Sequence, residues 1–146
     1  MNIDAMIRRI EKKAKKQQEV DSINNNFKLA LGYGSADYLR RVKEIIRDLV
    51  PKIPKLYETD GLKAKTAWIK LFTPWSSWTW YVYEFDGDDT CFGLVEGHEI
   101  EMGYFSLSEI FGLKHFSGLK VEFDVWFEPR VLCNGNVGNE NVGGGK

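Results

Sequence analysis

The chain has 146 residues, 43% of them hydrophobic and 28% charged, with a formal net charge of −1. That length allows one domain with its own core, and the composition excludes wholesale disorder. No run approaches the length of a membrane span, and residues 1–20 lack the apolar core region of a signal peptide, so a cytoplasmic setting is expected.

The near-neutral total hides a polarity along the chain. Residues 1–55 hold 13 Lys/Arg against 7 Asp/Glu, whereas residues 56–146 hold 7 against 14. Either the two parts meet different partners, or the basic arm packs against the acidic remainder. Aromatic residues are equally uneven: only Phe27, Tyr33 and Tyr38 precede Leu56, so the core is expected after that point. Cys91 and Cys133 are too few for a disulfide scaffold, and Cys91, in an apolar segment, reads as a buried free thiol.

In chain order, Ile3, Met6, Ile7, Ile10 and Ala14 recur at helical spacing among Arg8, Arg9, Lys12, Lys13, Lys15 and Lys16. This predicts an amphipathic basic helix ending near Val20. Residues 21–26, with Ser and consecutive Asn, read as a break. Gly32-Tyr33-Gly34 is a second loop, since it lacks the third glycine and the preceding strand of a dinucleotide fingerprint. Ser35 is placed to cap a second helix with the stripe Leu39, Val42, Ile46 and Leu49, widened by Tyr38 and Ile45, and Pro51 and Pro54 end it.

Five strand-like segments follow. Residues 66–72 are the first and 78–85 the second, with Asp86-Gly87 as a hairpin turn. Residues 90–95 are the third, Glu96-Gly97-His98 the next turn, and residues 100–105 the fourth. Connections this short force antiparallel neighbours. Ser106 and Glu109 make a capping box for a short helix stopped by Gly112. Residues 119–127 read as the fifth strand, with Leu119, Val121, Phe123, Val125 and Phe127 on one face and Lys120, Glu122, Asp124 and Trp126 on the other. The expected fold is α+β: an antiparallel sheet of about five strands (a β-meander, a short helix and a last strand) preceded by two N-terminal helices. The expected organisation is a basic helical segment over residues 1–55, an acidic aromatic-rich domain over 56–132, and a disordered tail over 133–146.

No catalytic triad, phosphate loop or zinc spacing is present. The triplets Glu84-Phe85-Asp86 and Glu122-Phe123-Asp124 would gather four carboxylates round a divalent cation only if the second and fifth strands were neighbours. Otherwise they belong to a solvated acidic face, and neither metal nor cofactor is expected. A pairing of Cys91 with His98 or His115 as a nucleophile is a lesser option than packing of the thiol in the core. Alternation places Trp78 and Trp80 on one sheet face and Tyr81 and Tyr83 on the other, leaving one set for a partner unless both faces are covered.

Leu56-Tyr57, Lys70-Leu71-Phe72-Thr73-Pro74, Trp78-Thr79-Trp80-Tyr81, Glu84-Phe85-Asp86-Gly87, Phe92-Gly93-Leu94-Val95-Glu96-Gly97, Glu101-Met102-Gly103-Tyr104-Phe105-Ser106-Leu107 and Phe127-Glu128-Pro129 together resemble the bacterial domain-of-unknown-function family DUF2958. The resemblance covers about residues 56–132. It implies a small accessory protein of plasmids, integrative elements or phages in a bacterial cytoplasm, and it carries no catalytic residues.

The leading expectation is therefore a non-enzymatic binding protein of a mobile element that contacts another protein, conceived as a nucleic-acid-handling one. The candidate protein-binding residues are Trp75, Trp78, Trp80, Glu84, Asp86, Glu122 and Asp124. The alternative is a nucleic-acid-binding module using Arg8, Arg9, Lys12, Lys13, Lys15, Lys16, Arg40 and Arg41, with Lys43 and Arg47 beside them. A metal-dependent hydrolase built on the two triplets is the third reading.

Overall fold

The computed structural model of the chain describes residues 2–133. The tail expected to be disordered from Asn134 lies outside the described residues. The architecture is α+β, with N-terminal helices followed by antiparallel strands.

Helix α1 spans Ile3–Asp21 and matches the predicted basic helix. Where a plain break was expected, Asn24 instead caps a short helix α2, Asn25–Lys28, its side chain accepting from the N–H groups of Asn26 and Phe27. The Asn24 amide also donates to the carbonyls of Gly87 and Asp88 at 2.9 and 3.0 Å. A run of asparagines that reads as a turn is here a cap and a clamp. A 3-10 turn over Leu29–Gly32 leads to α3, Ala36–Asp48, capped by Ser35 as its sequence predicts.

The main sheet has five strands in the order β5-β4-β3-β2-β6. Strand β2 is Ile69–Phe72, β3 Thr79–Phe85, β4 Thr90–Glu96, β5 Ile100–Ser106 and β6 Glu122–Phe123. Helix α4, Leu107–Gly112, joins β5 to the segment that returns beside β2. A separate two-stranded ribbon pairs β1, Ala64–Ala67, with β7, Arg130–Cys133. The single strand expected over residues 66–72 is thus divided between two sheets. It breaks at Trp68, whose N–H still reaches the Val82 carbonyl at 2.9 Å.

The strand expected over residues 119–127 is the largest correction. Only Glu122 and Phe123 pair with β2. Asp124 then turns the chain: its carboxylate accepts from the Trp126 N–H at 3.0 Å and its carbonyl from the Phe127 N–H at 3.1 Å. Such a local side-chain bond competes with the ladder and ends it. Val121 and Phe123 keep their predicted core face, but Phe127 is carried to the opposite side of the sheet, where it packs on Tyr81 at 5.7 Å between ring centroids.

Two apolar layers result. On one face of the sheet Ile69, Leu71, Trp80, Val82, Phe85 and Cys91 pack against Phe27, Val42 and Ile46 from the helices and Leu107, Ile110 and Phe111 from α4. The core is therefore not confined to the aromatic-rich part, because Phe27 sits at its centre against Phe85 at 5.4 Å and Phe123 at 6.1 Å. On the other face Tyr81, Tyr83 and Leu94 lie beneath Ala67 and Leu132 of the ribbon. Strand β3 is buried at all seven positions. Alternation leaves one aromatic set for a partner only if one face is bare, and here both are covered.

A bulge in β3 completes this arrangement. Val82 pairs with Gly93, but Glu84 pairs with Phe92 and Phe85 with Cys91, so Tyr83 is the extra residue. The bulge reverses the alternation after it, sending Phe85 to the helix side and Glu84 to the ribbon side. Opposite it, Gly93 leaves no room for a side chain: a Cβ there would stand 1.7 Å from the Tyr81 carbonyl oxygen. Gly93→Ala is expected to destabilise the domain by about 3 kcal/mol, since backbone rather than a flexible side chain has to move. Its β5 neighbour Gly103 has open space at the same point. Gly103→Ala should stay within ~0.5 kcal/mol of the parent, both values being read from urea unfolding.

Candidate functional site

The seven residues expected to form a protein-binding surface do not form one surface. Trp80 is in the core beneath the helices. Glu84 is 1% exposed. Its carboxylate accepts from the N–H groups of Tyr57 at 2.8 Å and Thr59 at 3.1 Å, and from the Thr59 hydroxyl. Lys65, also buried, donates from Nζ to the Thr59 carbonyl and hydroxyl. A buried carboxylate with three donors is a staple for the loop between α3 and β1, with Tyr57 held at a φ of +73°. Asp86 accepts from the N–H groups of Asp88, Asp89 and Thr90 and so shapes the β3–β4 hairpin. Trp75 stacks on His115 at 5.3 Å.

The carboxylates do not converge. Strand β2 lies between β3 and β6, so the two triplets sit on strands that are not neighbours. Among the described residues no group of three His, Cys, Asp or Glu is placed to hold a metal ion. The geometric requirement of the hydrolase reading is unmet. Cys91 is buried and its thiol is pushed up by burial, with the charges of Asp86 and Asp89 adding to it. His115 faces Trp75 and His98 faces Trp78, at 5.6 Å edge-on, instead of the thiol.

Three of the seven residues do meet. Trp78, Glu122 and Asp124 line a cleft of about 440 Å³ with Tyr38, Lys70, Phe72 and Trp126, between α3 and the β2–β6 edge. A second cleft of about 380 Å³, walled by Lys70, Asp124 and Trp126 with Phe127, Pro129 and Arg130, continues from it. Trp126 stands where the two join and is 75% exposed. The Arg41 guanidinium lies 4.3 Å from the centroid of its ring. Lys70 forms an ion pair with Asp124 at 3.3 Å, and the Tyr33 hydroxyl donates to Glu122 at 3.0 Å. The Tyr38 hydroxyl accepts from the Phe123 N–H at 2.9 Å, and burial pushes its phenol up to about 12.

These groups are tied to one another within the cleft. Tyr38 does not titrate near neutral pH, and Lys70, Glu122 and Asp124 are each held by a partner within the wall. The exposed part of the cleft is an aromatic platform rimmed by charges of both signs. Trp126 and Arg41 were not read as a pair from the sequence. The available signal was a tryptophan on the otherwise polar side of the predicted fifth strand, beside Lys120, Glu122 and Asp124.

The alternative basic set divides as well. On α3, Arg40 pairs with Asp37 and Glu44, Arg41 with Asp37, and Arg47 with Asp48. On α1, Arg8, Arg9, Lys12, Lys13, Lys15 and Lys16 are exposed and make no ion pair among the described residues. Glu84, by contrast with the cleft residues, carries a purely structural load. Glu84→Gln puts an amide where two N–H donors point, and it is expected to cost about 1–3 kcal/mol in urea unfolding while leaving any binding through the Trp126 cleft unchanged.

Among the described residues no helix is long and apolar enough to cross a membrane. No curated protein and no solved structure matches the chain. The family model described as Protein of unknown function (DUF2958) matches residues 43–134, from within α3 through β7, and so takes in the whole sheet, the ribbon and the wall of the cleft that carries Trp126. The chain belongs to the DUF2958 family.

Proposed function

We propose that this chain is a non-enzymatic accessory protein of a bacterial mobile element, acting in the cytoplasm by binding another protein through the paired clefts around Trp126. One observation carries the reading: the most exposed tryptophan sits at the junction of two clefts, already held in place by Arg41. Tryptophan and arginine dominate the energetics of protein interfaces, and a ring fixed before binding loses little freedom on contact. The two clefts together suit an extended segment that lays one apolar side chain on Trp126 and passes along Lys70 and Asp124. An excess of carboxylates in residues 56–146 favours a basic partner, such as a nucleic-acid-handling protein. The mobile-element setting is supported by the resemblance to plasmid- and phage-borne accessory proteins.

The test is affinity capture from a lysate of a bacterium carrying the element, with parent and Trp126→Ala proteins side by side. The parent should enrich a defined protein, and Trp126→Ala should weaken purified binding at least about tenfold with an unchanged unfolding midpoint. Equal capture by both proteins removes the cleft from the function.

A second reading rests on α1, whose six cations make no ion pair among the described residues and suit a phosphate backbone. It predicts binding to duplex DNA that weakens steeply with salt and is lost when Lys12, Lys13, Lys15 and Lys16 become Gln, as measured by fluorescence anisotropy. Binding that is indifferent to those substitutions sinks it.

A further inference from the structure

Among the described residues two runs of regularly spaced apolar side chains lie exposed, and they carry opposite charge. The first is the stripe of α1. Ile3, Met6, Ile7 and Ile10 are all exposed, Ile3 by 70% and Ile10 by 62%. Most helical stability in proteins comes from packing such a face rather than from propensity. Six cations stand around this stripe.

The second face belongs to β5. Ile100, Met102 and Tyr104 point to the same side of the sheet as Glu96, Leu94 and Phe92, their partners in β4. Tyr57 lies beside Tyr104, with ring centroids 6.4 Å apart. Ile100, Met102, Tyr104 and Tyr57 are all exposed, so the ribbon that shelters Tyr81 and Leu94 does not shelter them. The carboxylates on this side include Glu96, the β4 partner of Ile100, and Asp60, whose charge reaches the Tyr104 phenol. Strand β5 is also an edge of the sheet, seven residues long with neither lysine nor proline to guard it. The opposite edge, β6, is two residues long and ends at the Asp124 turn. A long edge with apolar side chains is a site for pairing or covering, often by a helix.

We infer that α1 of one copy of this chain lies across β5 of a second copy, and reciprocally, in a two-fold dimer. The stripes match in extent: Ile3 to Ile10 spans about 11 Å of helix, and Ile100 to Tyr104 about 14 Å of strand. Arginines and lysines along α1 meet the carboxylates around the patch, a complementarity that neither face has with itself. A pairing of α1 with α1 would set six cations against six, and β5 against β5 would bring together two acidic rims. Asn24 fixes the root of α1 on the β3–β4 hairpin, so the helix leaves its own domain with the stripe uncovered. Reciprocal exchange covers both open faces of both chains and closes the assembly, whereas a one-way contact would propagate into a chain of subunits.

The experiment is sedimentation equilibrium of the full chain over about a hundredfold range of concentration, at low and high salt. The parent should sediment at twice the monomer mass and dissociate as salt is raised. Ile7→Glu and Met102→Arg should each raise the dimer dissociation constant at least about tenfold. Both positions are exposed in the monomer, so tryptophan fluorescence and the unfolding midpoint serve as controls that the fold is kept. An equimolar mixture of the two variants should recover heterodimer, because each supplies the face the other lacks. A parent that is monomeric at every concentration overturns the inference. So does a dimer abolished by Ile7→Glu alone, which means helix pairing, or by Met102→Arg alone, which means strand pairing. Both variants leave Trp126 and its clefts untouched, so capture of a partner through that site succeeds or fails independently.

Discussion

A strand buried on both faces needs two covers, and everything else in this fold is arranged to provide them. Strand β3 presents Trp80 and Val82 to one side and Tyr81 and Tyr83 to the other, with every residue from Thr79 to Phe85 buried. Each of these large side chains contributes on the order of 2 kcal/mol on burial, so neither face is left to solvent. The helices α2, α3 and α4 cover the first face. The second has no helix to spare, and the β1–β7 ribbon covers it instead. That division explains why the chain changes sheet at Trp68 and why residues after the Asp124 turn return over Tyr81.

Covering both faces has a consequence for where function can reside. The aromatic cluster of β3, the most conspicuous in the sequence, is used up by the core. The exposed apolar and aromatic surface lies instead at the margins: the gap between α3 and the β2–β6 edge, where Trp126 stands; the outer side of β5; and α1. The gap is shaped by the same turn that ends β6 after Phe123, since the Asp124 carboxylate both accepts from the Trp126 N–H and anchors Lys70. Fold and candidate site therefore share a residue, and a change at Asp124 alters both.

Elements set by local chemistry were legible in the sequence. Ser35 and Ser106 mark helix starts because a cap depends on residues within three positions, and Asp86-Gly87 marks its hairpin for the same reason. The α+β class and the meander follow from alternation and short connections. The break at Trp68 and the bulge at Tyr83 were not legible, because each depends on which strand lies alongside. The early end of β6 has a local cause in Asp124, which the unbroken alternation over residues 119–127 masks. The burial of Glu84 was the least accessible: its donors come from Tyr57 and Thr59, 27 and 25 residues earlier in the chain. By composition it looked like an exposed carboxylate, and only the loop folded over it makes it an interior one. Trp126 was misread for a related reason, having been assigned to an extended strand where the chain turns outward.

Glu84 also has a meaning for the chain before it is folded. The segment Thr79–Phe85 is a seven-residue run of aromatic and β-branched side chains, and Glu84 is its only charge. Such a run, exposed on a nascent sheet, is prone to pair with copies of itself, and a charge within it opposes that association. In an unfolded chain a hydrated carboxylate at position 84 disfavours stacking of this segment on its copies. Once Tyr57 and Thr59 close over it, the same carboxylate becomes the latch of the loop. The same charge that sets the unfolded segment apart from its copies fastens the cover of the folded sheet.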